Sequence, residues 1–298
     1  MKSLATTLIT RQLTALLLVC LTACSGHEGS SLQSQYVVEG WIEAGEFPMV
    51  RVTRSIPITE EYQSLDSLER YIVRWGTVSV SDGTREVILT GKSDNRFFPP
   101  YIYTTTEMRG QPGYIYQLTI RRDDGPDIVA RCTVPDTVGV DSFAVVPVTQ
   151  SDTLVQLYAY LHVAPQPTTY YKVFAKEGDD TQDFLPSYLG VIRSDMMGPG
   201  GRIAVNKGRT NLKKDFTPYF TRGDTVMLRI ARIDSVAYEF WRSYEDMLSL
   251  SRIPLFPNTV SLPSSVSGAY GFWQGWGATY HTVVIGNQQR TQTIKQTQ

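Results

Sequence analysis

The sequence of 298 residues contains little of what usually assigns a function directly. It has three cysteines and three histidines, so a framework of several disulfides is excluded, and a zinc site or a Ser-His-Asp triad would depend on very few side chains. Its 28 basic and 29 acidic residues nearly cancel, which argues against binding nucleic acid through bulk charge. With 42% hydrophobic and 19% charged residues, the composition is that of a folded protein. The length of 298 residues corresponds to about two average domains.

Motifs of the common enzyme classes are also missing. The sequence has no Gly-x-Ser-x-Gly elbow, no phosphate-binding P-loop and no His-Glu-x-x-His pair. His162 falls on the wetter face of its predicted strand, where an exposed or hydrogen-bonded histidine is expected. Aspartates cluster at 123–127 and 179–183 without the spacing of an EF-hand loop, and we expect them to form turns. We therefore predict a protein without catalytic residues, cofactor or metal.

The one long apolar run lies at the start of the chain. Lys2 and Arg11 precede the stretch from Leu13 to Leu21, which is too short to span a bilayer as a stable anchor. The run ends in Leu21-Thr22-Ala23-Cys24, the cleavage pattern of bacterial lipoproteins, in which the cysteine thiol accepts diacylglycerol. An ordinary secretory signal with an incidental cysteine is the alternative.

These residues predict a lipid-anchored protein. We expect residues 1–23 to be a lipoprotein signal peptide, Cys24 to carry the lipid, and residues 24–35 to form a flexible Gly/Ser-rich tether. Because Ser25 does not argue for retention at the inner membrane, we expect the outer membrane, with the surface-facing and periplasm-facing orientations both open. The membrane contact is thus made through the N-terminal lipid.

The sequence that follows the tether has the pattern of a β protein. From Tyr36 onward, apolar residues recur with a period of two, and β-branched and aromatic residues dominate. The stretch from Leu154 to Val163 is the clearest case, since its odd positions are apolar and its even positions are polar or tyrosine. Turn signals such as Asp82-Gly83 separate the short strands. The spacing predicts an all-β fold of two tandem sandwiches, Ig-like or carboxypeptidase-regulatory-like.

The domain limits follow from the breaks in this pattern. We predict an N-terminal Ig-like sandwich over 36–136, a C-terminal β-domain over 138–285, and a disordered polar tail over 286–298. One helix is predicted in the second domain, at about 234–250, with Asp234 as its cap and an apolar stripe that includes Val236.

The densest aromatic feature lies near the C-terminus, in the run 265–280. Its candidate binding residues are Tyr270, Phe272, Trp273 and Trp276, which would form a stacking platform for a sugar or for the apolar patch of a partner. The alternative is that these rings belong to the strand that closes the second domain, with glycines allowing close approach of the backbone.

Several segments together resemble the domain of unknown function 4249 family. They are Cys24 with its short tether, Val37-Val38-Glu39-Gly40-Trp41-Ile42, Val52-Thr53-Arg54-Ser55, Gly76-Thr77-Val78-Ser79-Val80-Ser81-Asp82-Gly83, Pro112-Gly113-Tyr114-Ile115-Tyr116-Gln117-Leu118 and Ser267-Gly268-Ala269-Tyr270-Gly271-Phe272. The resemblance implies an outer-membrane lipoprotein of Bacteroidota, often encoded beside a TonB-dependent receptor. It brings no catalytic residues with it.

The sequence therefore predicts a non-enzymatic accessory or cargo-binding lipoprotein that works beside a TonB-dependent transporter. Its expected partners are that receptor and the membrane, with no nucleic acid. A surface adhesin or structural β-sandwich protein is the first alternative, and a carboxylate-dependent glycoside hydrolase is the second.

Overall fold

The computed structural model describes residues 34–55, 69–163, 167–178, 183–208, 216–250, 262–286 and 292–295. The predicted signal peptide, Cys24 and most of the tether lie outside these residues. Within the described part of the chain, no helix is both long enough and apolar enough to cross a membrane.

The described residues form short strands and one α-helix, α1 (Ser235–Leu250). The strands are β1 (Tyr36–Glu43), β2 (Met49–Arg54), β3 (Thr77–Ser81), β4 (Glu86–Ile88), β5 (Thr90–Ser93), β6 (Tyr101–Thr104), β7 (Ile115–Arg121), β8 (Ile128–Thr133), β9 (Gly139–Pro147), β10 (Leu154–His162), β11 (Tyr170–Glu177), β12 (Leu185–Arg193), β13 (Arg202–Val205), β14 (Phe220–Thr221), β15 (Thr225–Ile233), β16 (Val266–Ser267), β17 (Tyr270–Val284) and β18 (Gln292–Lys295). The predicted all-β fold is confirmed.

Two sandwiches share one large sheet. This sheet has the order β12-β11-β15-β17-β1-β2-β6-β5. One five-stranded sheet, β16-β8-β7-β3-β4, packs on its β1 and β2 side, and a second, β13-β10-β9-β18 with β14 beside β10, packs on its β11 and β15 side. All of these strands belong to one compact unit of the chain.

The long strand β17 joins the two halves of the shared sheet. Its residues 270–276 pair in parallel with β1, and its residues 277–284 pair antiparallel with β15. β16 and the first half of β17 fall in the predicted range 138–285, but they hydrogen bond to strands of the predicted range 36–136. The two sandwiches are therefore linked by a continuous ladder of backbone hydrogen bonds.

Local sequence patterns account for the individual elements. In β10, Val155, Leu157, Ala159 and Leu161 are buried in the second sandwich and the alternate side chains are only partly covered, as the period of two predicts. Helix α1 begins where Asp234 accepts a hydrogen bond from the backbone N–H of Ala237, at 2.7 Å.

The buried stripe of α1 includes the predicted Ala237 and Phe240 but not Val236 at its edge. Ala237, Phe240 and Trp241 are buried, whereas Val236, predicted in the stripe, is 55% exposed. Residues 237, 240, 241 and 244 follow the spacing of three and four that one helix face requires, and position 236 lies about 100° away from 237 around the axis.

The C-terminal tail differs from its prediction. Gln292–Lys295 form β18, antiparallel to β9, with Ile294 opposite Phe143. The prediction of disorder is wrong for these four residues because β9 would otherwise present an open strand edge. Such an edge pairs through backbone N–H and C=O groups, with little demand on side-chain polarity.

Candidate functional site

The aromatic run of β17 is divided between the two faces of the shared sheet. Trp273 points into the first sandwich, is 1% exposed, and donates its indole N–H to the carbonyl of Tyr116 at 3.0 Å. It packs over Gly40 of β1, where a Cβ would lie 2.8 Å from Cε3 of the ring. Phe272 and Trp276 lie on the opposite face, and Tyr270 is exposed. The four candidate residues therefore do not form one platform.

The outer face of the shared sheet carries a cavity of about 460 Å³. Strands β1, β11 and β17 and helix α1 line it with aromatic rings, which are Trp41, Phe174, Phe272, Trp276, Phe240 and Trp241. Phe97, Phe98 and Phe184 come from the chain between strands. A volume of 300–1,000 Å³ with mostly apolar walls is typical of a small-molecule site, as a rough guide.

Contacts between the rings hold these walls in place. Trp41 and Trp276 stack with their centroids 5.2 Å apart and an angle of 10° between the ring planes. Phe174 lies against Trp276 at 5.0 Å and meets Trp241 edge to face at 5.5 Å. Offset and edge-to-face pairs are the favoured aromatic geometries, so the cavity is formed by side chains that already pack on one another.

A buried amide orients two of the indoles. The Oε1 atom of Gln274 accepts hydrogen bonds from the indole N–H of Trp241, at 2.9 Å, and of Trp276, at 3.1 Å. Gln274 is 3% exposed and lies between Phe272 and Trp276 on the same face of β17. One side chain of the sheet thereby fixes both the helix and the sheet wall of the cavity.

A buried ion pair lies beside the rings. Nη1 of Arg229 is 3.1 Å from Oε1 of Glu43, and the hydroxyl of Tyr280 donates to Oε2 of Glu43 at 2.6 Å. The guanidinium of Arg229 lies 4.2 Å from the centroid of the Phe174 ring and 4.9 Å from that of Trp276. Burial raises the pKa of Glu43 despite the opposing effect of Arg229, and burial with the nearby Glu43 charge raises the pKa of Tyr280.

A second arginine lines the cavity, with a carboxylate as its partner. Arg51 of β2 forms an ion pair with Glu39 of β1, and both side chains are only partly exposed. The Nε atoms of Arg51 and Arg229 are buried and have no hydrogen-bond partner among the described residues. Arg96 also lines the cavity, and it pairs with Asp94 at 2.7 Å. The walls thus combine aromatic rings with guanidinium groups.

A second cavity, of about 330 Å³, adjoins the first. The two share Trp41, Arg96, Asp183 and Arg229 as lining residues. The second cavity adds two apolar side chains, Phe47 and Met49, and a larger polar set, namely Glu43, Glu46, Lys92, Thr104, Thr105, Thr106 and Tyr280. The outer face of the sheet therefore offers an aromatic compartment that continues into a polar one.

Of the other candidates from the sequence, Asp183 of the second aspartate cluster lines both cavities, whereas His162, Asp124 and Cys132 lie away from them. His162 is exposed, 3.9 Å from Asp141. Asp124, in one of the acidic turns, pairs with Arg54 at 3.0 Å. Cys132 is buried in the first sandwich, and burial raises the pKa of its thiol. Among the described residues, no three His, Cys, Asp or Glu side chains are grouped so that they could hold a metal ion.

The sequence reasoning missed the charged half of this site. Glu43 and Arg229 are separated by 186 positions, and neither belongs to a known motif. A signal was present at Arg229, which sits in Leu228-Arg229-Ile230-Ala231. Ala231, two positions further along and so on the same face of β15 as Arg229, is apolar, while Leu228 and Ile230 are apolar on the other face. Both faces of β15 therefore have the pattern of a buried strand, in which an arginine is unexpected unless it has a partner.

A comparison with curated proteins found no significant match. A family model described as domain of unknown function (DUF4249) matches residues 28–279. This range is more than half of the chain and includes every residue that lines the aromatic cavity. The chain therefore belongs to the DUF4249 family.

Proposed function

We propose that this protein is a non-enzymatic lipoprotein of the outer membrane that binds cargo in its aromatic cavity beside a TonB-dependent transporter. The observation that carries the proposal is the cavity of about 460 Å³, lined by Trp41, Phe174, Trp276 and neighbouring rings. A site of this size takes a small molecule or one end of a larger one.

The fixed positions of the aromatic side chains in the cavity support a binding function. Its rings are held by stacking between Trp41 and Trp276 and by the two hydrogen bonds to Gln274. Little ordering of these side chains is then needed when a ligand enters, and preorganisation of this kind lowers the entropic cost of association.

The engagement of two carboxylates, Glu43 and Glu39, supports binding over hydrolysis. Both oxygens of Glu43 are engaged, one by Arg229 and the other by Tyr280. Glu39 is held by Arg51. A glycosidase needs one carboxylic acid to protonate a leaving group and a second carboxylate to act on the sugar or on water. The most buried of these carboxylates, Glu43, is instead committed to holding the wall.

The lipid anchor rests on the N-terminal pattern Leu21-Thr22-Ala23-Cys24. Replacing the acceptor thiol by Cys24→Ser removes the site of acylation. We expect the variant to leave the membrane fraction for the soluble fraction of the cell envelope, while the wild type labels with radioactive palmitate. Membrane retention of the variant without label would refute the anchor.

The cargo role is tested on tagged protein purified from outer membranes with mild detergent. Native mass spectrometry should detect a bound small molecule, and peptide identification should detect a TonB-dependent transporter. Trp41→Ala removes a half-buried wall and should lose the small molecule but keep the transporter. Trp75→Ala, at a side chain that is 96% exposed and outside the cavity, is the matched control.

Two outcomes would count against the proposal. Repeated purification with neither a small molecule nor a transporter would refute it. Retention on cell-wall or host polymers by the wild type and by Trp41→Ala alike, with no transporter, would indicate the adhesin instead.

A further inference from the structure

The chemistry of the cavity walls narrows the class of ligand, provided that the proposed binding function is correct. Three arginines, Arg51, Arg96 and Arg229, line the aromatic cavity together with two carboxylates, Glu39 and Asp183. The arginines are not equivalent to surface charges, because Arg229 is 5% exposed and the Arg51 side chain is 20% exposed.

The two inner arginines retain hydrogen-bonding capacity. A guanidinium has five N–H donors, and each of these two uses terminal nitrogen to hold a glutamate. The Nε atoms of both are buried and have no hydrogen-bond partner among the described residues. Because these Nε atoms are themselves buried, a ligand oxygen would accept instead from the terminal nitrogens of the two guanidinium groups, whose side chains line the cavity.

A cationic ligand fits these walls poorly. The guanidinium of Arg229 already lies over Phe174 and Trp276, at 4.2 and 4.9 Å from the ring centroids. The ammonium of Lys172 lies 5.2 Å from the Trp241 centroid. Since Phe174, Trp276 and Trp241 already have protein cations beside them, a second positive charge at these rings would be repelled.

The rings themselves favour a flat apolar body. Trp41 is half-buried, stacks on Trp276 and is one of the walls shared with the polar cavity. Arg229 is also shared by the two cavities. An aromatic group resting on the rings would therefore have its polar end near guanidinium groups.

We propose that the cavity binds a small aromatic molecule that carries an anionic oxygen group, of the carboxylate or sulfonate class, with the ring on the aromatic walls and the oxygens accepting from Arg51 and Arg229. The oxygens would complete the hydrogen bonding of guanidinium groups that are already oriented by Glu39 and Glu43. Charge-assisted bonds of this type are among the stronger ones in proteins.

Two fluorescent probes with the same aromatic skeleton test this proposal. Anilinonaphthalene sulfonate carries the anionic group, and phenylnaphthylamine lacks it. Binding of both to the purified mature protein is followed by fluorescence titration. Arg51→Met should weaken binding of the sulfonate probe about tenfold and leave binding of the neutral probe within about twofold.

Further variants separate the contributions of the arginine and of the aromatic walls to binding of the probes. Arg51→Lys keeps the charge but removes the planar guanidinium fork, and it should also weaken binding of the sulfonate probe. Arg85→Met removes an exposed arginine that does not line the cavity, and it should change neither affinity. Trp41→Ala removes an aromatic wall and should weaken both probes. Thermal melting of each variant verifies that it is folded.

The outcomes separate failure of the preference for an anionic group from failure of the proposed binding function. If Arg51→Met and Arg51→Lys change both probes equally or change neither, while Trp41→Ala weakens both, the cavity binds but the preference for an anionic group is refuted. If Trp41→Ala leaves both affinities unchanged, the probes do not occupy the cavity and the proposed binding function fails with it.

Discussion

Removing one partner of the buried pair formed by Glu43 and Arg229 should cost much more stability than removing both. The perturbations are Arg229→Met, Glu43→Leu and the double variant. Each single variant leaves one charge in the wall without its opposite charge, whereas the double variant leaves none. The hydrophobic replacements keep most of the volume beside Phe174 and Trp276.

The magnitude follows from the burial of the pair. Glu43 is 3% exposed and Arg229 is 5% exposed, so neither charge regains much water when its partner is removed. Breaking a pair of this kind costs about 3–5 kcal/mol in free energy of unfolding. The double variant should lie within about 1 kcal/mol of the wild type, because the desolvation cost of both charges disappears with their attraction. The burial that raises the pKa of Glu43 indicates that this cost is substantial here.

The assay is equilibrium unfolding in urea, from which a double-mutant cycle gives the coupling energy of the pair. The exposed pair of Arg74 and Glu69, with side chains 45% and 47% exposed, provides the control. Its loss should cost less than about 1 kcal/mol. The reasoning is refuted if Arg229→Met costs no more than this control, or if the double variant costs the sum of the two single variants.

Three further predictions use the same assay. Because the pKa of Glu43 is raised in the folded state, its contribution to stability is present below the unfolded pKa of about 4.3 and is lost as pH rises through the folded pKa. The cost of Arg229→Met should therefore shrink toward pH 4, and a cost that grows on acidification would contradict this sign. Trp273→Ala should lower the free energy of unfolding by about 3–5 kcal/mol because the ring is fully packed and hydrogen-bonded. Tyr270→Ala, at an exposed ring, should change it by no more than about 0.5 kcal/mol. Equal losses of stability would argue against this division of the aromatic run. Asp234→Ala should cost about 1 kcal/mol and Asp234→Asn much less, since asparagine keeps the capping acceptor; equal costs would show that the cap contributes nothing.

Much of the fold was predictable because its signals are local. Side chains alternate between the faces of a strand whatever the strand pairs with, so β10 was recognisable from its own residues. A capping aspartate hydrogen bonds within one turn of its helix, so the start of α1 at Asp234 was also visible. The exposure of Val236 was not, because the neighbouring sheet decides which edge of the helix stripe is covered.

The candidate site was only partly predictable. Phe272 and Trp276 stood out by composition, and both line the cavity. Trp273 stood out equally, yet it belongs to the core of the first sandwich. Alternation along β17 separates these rings, but the sequence does not say what covers each face. The face beneath α1 carries the cavity, and the opposite face is filled by side chains of the five-stranded sheet.

The sequence by itself determined the class of fold, the clearest strand, β10, and the helix, because backbone preference and side-chain alternation act over a few residues. Only the tertiary structure decided that β1 and β15 both pair with β17, one in parallel and the other antiparallel. That pairing places Glu43 opposite Trp276 and Arg229 opposite Tyr280, so residues 186 positions apart meet as an ion pair. Such contacts depend on the packing of the whole chain, since closing long loops is repaid only when the assembled sheets bury their apolar faces.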